Sequence, residues 1–62
     1  MIQEAEALLA YAETHEMKME DRRVIVEVLK KSAPYMAPEV HRRFEMVRDS
    51  VRRSLARRAA NQ

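Results

Sequence analysis

Glycine is absent from the 62 residues. The chain therefore has no residue that enters left-handed backbone conformations cheaply. That argues against tight two-residue hairpins, phosphate-cradling loops and dinucleotide fingerprints together. Cysteine is absent too, so neither a disulfide nor a thiolate metal site supports the fold. Aromatic side chains are limited to Tyr11, Tyr35 and Phe44, too few for a platform on which single-stranded bases stack. No apolar run approaches the roughly 18 residues of a membrane span.

Chemistry is equally sparse. His15 and His41 stand far apart in the chain and share no zinc-pair motif. Ser32, Ser50, Ser54 and Thr14 are not paired with any histidine–acid arrangement. Glu6 and Glu13 are the acids best spaced to share a divalent ion between copies, but no histidine stands beside them at bundle spacing. The expectation is a protein that is not an enzyme, with no cofactor and no metal.

A chain of 62 residues makes one small domain, and it hides a smaller share of its surface than a longer one does. With no disulfide to compensate, the core is expected to be completed by homo-oligomerisation, at least a homodimer, or by a partner. The opening "MIQEAEALLAYAE" carries acids where a signal peptide carries bases, and the chain is read as cytoplasmic, with no membrane partner.

What is present is charge, and it is divided. Residues 1–21 hold six acids against one lysine, a net of −5, and residues 22–62 hold eleven bases against four acids, a net of +7. The formal total of +2 conceals an acidic head and a basic body.

The periodicity predicts an all-α fold: a helical hairpin followed by a longer, basic C-terminal helix, over about 2–14, 20–32 and 38–58. In the first segment Ile2, Ala5, Leu8, Leu9 and Ala12 recur at helical spacing among good helix formers. No glycine or proline separates it from the second, but the stripe drifts, so a turn is placed in residues 14–20 with Met17 and Met19 packing around it. In the second, Val24, Ile25, Val28 and Leu29 share one helical face, with Asp21 as the expected N-cap. The β-branched run "RVIVEVL" leaves a competing reading, an intermolecular strand over 23–29. Pro34 and Pro38 fence off the connection "SAPYMAP". Pro38 then opens the third helix, in which Val40, Phe44, Val47, Val51 and Leu55 fall within an arc of about 80° at 100° per residue. So narrow a seam is the expected dimer contact.

Function turns on the arginines, nine against three lysines. Arginine's planar fork grips phosphate at two points. The leading expectation is non-catalytic, regulatory binding of DNA or RNA through Arg42, Arg48, Arg52, Arg53, Arg57 and Arg58. A bland alternative is a solvated face paired with the acidic first helix. A helix-turn-helix variant would set Glu39, His41, Arg42 and Glu45 at the start of a reading helix, although its turn is long and lacks glycine. The alternative function is a protein-binding module, an adaptor or inhibitor, in which Tyr35 and Met36 enter a pocket on a larger or acidic partner.

Overall fold

The computed structural model describes residues 2–61. Helix α1 spans Ile2–Thr14, α2 Met19–Lys30 and α3 Pro38–Ala60, with a 3₁₀ turn at Ala33–Tyr35 between the last two. The fold is all-α, and its longest helix is the C-terminal one. Residues 23–29 are helical, so the strand reading is set aside: β-branched residues tolerate a helix when one face of it is buried.

Each end of a helix has a local cause. The Thr14 hydroxyl donates to the Ala10 carbonyl at 2.8 Å and the His15 amide to the Tyr11 carbonyl at 3.1 Å, which closes α1. The His15 ring stacks on Tyr11 with centroids 3.9 Å apart, and Arg22 reaches back to the His15 carbonyl at 3.4 Å. Lys18, with extended backbone, takes the N-cap position of α2, and its carbonyl accepts from the amides of Asp21 and Arg22. Asp21 is thus a first-turn acid rather than the expected cap, and it acts through its charge at the positive end of the helix. Lys30 occupies the opposite end. Ala37 precedes α3, whose first residue is Pro38, where a missing amide hydrogen costs nothing.

No described residue has a positive φ. Lys18, Met36 and Ala37 turn the chain in extended conformations instead, which is how a sequence without glycine changes direction.

The core joins Ala5, Leu9 and Ala12 of α1, Ile25, Val26 and Leu29 of α2, Ala33 of the 3₁₀ turn, and Val40, Phe44, Val47 and Val51 of α3. Leu8, Met17, Met19, Met36 and Leu55 close its edges. The side chain of Ile2, expected in the α1 stripe, lies outside the described residues. On α2 the buried face is rotated from the expected one: Val26 is inside, whereas Val24 and Val28 are 61% and 53% exposed.

The α3 seam is buried as its periodicity predicts, but against α1 and α2 of the same chain. Phe44 is 2% exposed. Val40, Phe44, Val47 and Val51 belong to this chain's own core, with Leu55 at its margin, so the seam expected to meet a second copy is covered here by α1 and α2.

The molecule measures 38 × 19 × 16 Å. Helix α3, with 23 residues, supplies the long dimension, while α1 and α2 have 13 and 12. The core ends at Val51, Leu55 is half-buried, and every described residue from Ala56 onward is exposed. The last turns of α3 project beyond the body.

Candidate nucleic-acid interface

The seven arginines of α3 fall into two groups. Arg43 and Arg48 are engaged. Arg43 donates through Nε and Nη2 to both carboxylate oxygens of Glu13, at 3.1 and 2.6 Å, joining α3 to the end of α1. This fork-to-fork contact holds the Glu13 carboxyl below its ordinary range: the hydrogen bonds from Arg43 are the main cause, slight burial opposes them, and the charge of Arg43 adds to them. Arg48 lies over the Phe44 ring, 5.7 Å from its centroid, with Glu45 at 3.7 Å and Asp49 at 3.3 Å. Of the residues expected to meet phosphate, Arg48 is the one the fold uses for its own packing.

Arg42, Arg52, Arg53, Arg57 and Arg58 are exposed and have no carboxylate partner among the described residues. Arg57 donates to the Ser54 hydroxyl at 3.3 Å. Arg52, Arg53, Arg57 and Arg58 lie along the last turns of α3, over a rise of about 12 Å from Arg52 to Ala60. Arg42 stands on the same flank as Arg53, nearer the helix start, with the exposed Met46 between them.

The residues of the helix-turn-helix variant are partly tied to one another. His41 Nδ1 and Glu45 Oε1 lie 3.1 Å apart, and Arg48 shares that carboxylate. Glu39 and Arg42 remain exposed. Glu13 is committed to Arg43, which removes it from the pair considered for a divalent ion, and no cluster of three or more metal-ligating side chains occurs among the described residues.

The connection divides its two candidate anchors. Tyr35 is 75% exposed, whereas Met36 is half-buried against the core. Tyr35 stands at the rim of a groove of about 780 Å³ between α1 and the end of α2, lined also by Leu8, Val28 and Leu29 with Glu4 and Lys31 beside them. Sequence reasoning overlooked this groove because it assigned Val28 to the core. The signal was present: five apolar residues among the six from Val24 to Leu29 exceed what one helical face can bury.

No family model, curated protein or solved structure matches the chain. No helix among the described residues is long and apolar enough to cross a membrane.

Proposed function

We propose that the chain is a small, non-catalytic regulatory protein that grips the phosphate backbone of duplex DNA or RNA with the projecting end of α3. The observation that carries this reading is the group Arg52, Arg53, Arg57 and Arg58, exposed along the last turns of α3, where Leu55 is the last residue packed against the core, and without a carboxylate partner among the described residues. A solvated face tied to the acidic helix accounts for Arg43 alone. The negative end of the helix dipole favours bases in the last turn, which covers Arg57 and Arg58. It does not reach Arg52 and Arg53, about two turns back, because the effect fades within one turn.

Binding of labelled duplexes by fluorescence anisotropy across about 50–300 mM salt tests the proposal. Four phosphate contacts give a log–log salt slope of about −3 to −4 for DNA. Replacing all four arginines by alanine preserves helix propensity while removing the charge. The variant is expected to bind about a hundredfold more weakly near 100 mM salt. Absence of binding at 50 mM salt, or equal binding by the variant, overturns the reading. The ratio of DNA to RNA affinity names the substrate.

A second reading rests on Tyr35, an exposed aromatic beside an apolar groove: a module that docks on a larger protein and modulates it. Its signature is loss of function in Tyr35→Ala with the four-alanine variant unaffected.

A further inference from the structure

The outer face of α2 has a charge order that reads as its own complement when reversed. Glu20, Arg23, Val24, Glu27, Val28 and Lys31 line a shallow depression along the helix, facing away from the core. From the N-terminal to the C-terminal end the charges run negative, positive, negative, positive. Laid parallel, two such faces oppose like charges at every level. Laid antiparallel, they oppose unlike charges at every level: Glu20 meets Lys31 of the partner subunit, and Arg23 meets Glu27 of the partner subunit.

The apolar residues obey the same operation. At 100° per residue, Val24 and Val28 lean to one flank of the stripe and Arg23 and Glu27 to the other. A two-fold axis perpendicular to both helices sets each flank against its own kind, as an isologous contact requires. The valine flank then meets the valine flank and the charged flank meets the charged flank. Val24 and Val28 are more than half exposed, and Val28 continues into the groove shared with Leu8 and Tyr35. Among the described residues Glu27 of this face makes one ion pair, with Lys30 at 3.2 Å; it is exposed on both sides and rearranges at little cost.

We infer that the outer face of α2 is the surface on which a second copy of this chain docks, antiparallel, about a two-fold axis at the level of Ile25 and Val26. This inference does not depend on phosphate binding by α3. Two 12-residue helices in contact make an interface at the small end of the protein–protein range, under about 1,200 Å² in total. The dimer is thus a reversible one between copies whose cores are already complete.

Sedimentation equilibrium of the 62-residue chain from about 5 µM to 1 mM tests it, with far-UV circular dichroism to verify that each variant is folded. The expected behaviour is a monomer–dimer equilibrium with a dissociation constant of about 10–100 µM. Glu20→Lys and Lys31→Glu each weaken it about tenfold, because each places like charges together at both ends of the symmetric contact. The double variant Glu20→Lys/Lys31→Glu restores opposite charges and recovers the dimer. Val28→Glu, at an exposed position that leaves the core untouched, abolishes it. A chain that stays monomeric to 1 mM, a dimer that survives Val28→Glu, or a double variant no better than the singles overturns the inference.

Discussion

Phe44 concentrates the energetics of the fold in one ring. It is the largest fully buried side chain, and it comes from the helix that touches both others. Arg48 covers it on one side and His41 lies 6.0 Å away, tilted, on another. Phe→Ala in a core costs about 3–5 kcal/mol. A core of this size rarely supplies more than about 3–5 kcal/mol in total. Phe44→Ala is therefore expected to leave the chain largely unfolded at 25 °C, seen as loss of the helical signal in far-UV circular dichroism. Glu13 gives a second, gentler prediction. Its carboxyl is held below the usual range in the folded chain, so folding is favoured by this group above the ordinary carboxylate pKa, and that contribution is lost as pH falls through the folded value. Glu13→Gln should melt slightly earlier at neutral pH and show a flatter decline on acidification. Melting curves from pH 7 down to pH 3 check both. Equal acid dependence in the two proteins would mean that Arg43 adds nothing through this contact.

At the scale of the elements, α3 is two helices in one. Up to Val51 it is a core helix held by α1 and α2; beyond Leu55 it stands on propensity, on its dipole-compatible arginines and on three alanines, Ala56, Ala59 and Ala60. A chain ending at Leu55 should keep its fold, with a melting temperature within a few degrees of the parent, because the described residues it removes, 56–61, are all exposed. The amides of 56–60 should exchange fast in the full chain while those around Phe44 are protected. A truncated chain that unfolds would show that the projecting turns touch the body. The sequence made α3 readable because a single arc of apolar residues stands out among charges, whereas α2 was read one residue out of phase. Val24, Ile25, Val26, Val28 and Leu29 offer more than one face, and periodicity alone does not choose between them. Nor does periodicity say what a buried stripe is buried against. The α3 seam is legible in the sequence, whereas its cover by α1 and α2 within one copy is not. Asp21 is not the cap for a local reason: the N-cap lies three residues earlier, at Lys18, and α2 begins at Met19.

Taken whole, the molecule separates its tasks along its length. The packed end carries the acids of α1 and, among the described residues, the single cross-helix ion pair, Glu13 with Arg43, that joins the acidic head to the basic body. The charged side chains described at the far end are arginines alone. The outer face of α2 lies on the packed part of the molecule, so the proposed self-contact and the proposed grip on phosphate make separate demands on the chain. A dimer built there would hold two cationic arms on one assembly, and linking two binding ends raises their joint affinity wherever both reach the same duplex. Much of this was legible from composition: the charge division, the helical class and the long basic helix follow from residue counts and spacing. The projecting end was not, because its exposure depends on how short α1 and α2 are relative to α3.

The turns have a consequence of a different kind. A protein that changes direction through left-handed residues carries positions where any side chain is penalised, and those positions resist substitution however exposed they are. This chain has none among its described residues. Its connections, 15–18 and 31–37, are written in ordinary right-handed and extended backbone, with Met17, Ala33 and Met36 as the points where they touch the core. The spelling of these turns is accordingly free to drift, and what heredity must preserve is a spacing of buried residues along three helices rather than any fixed word in the text.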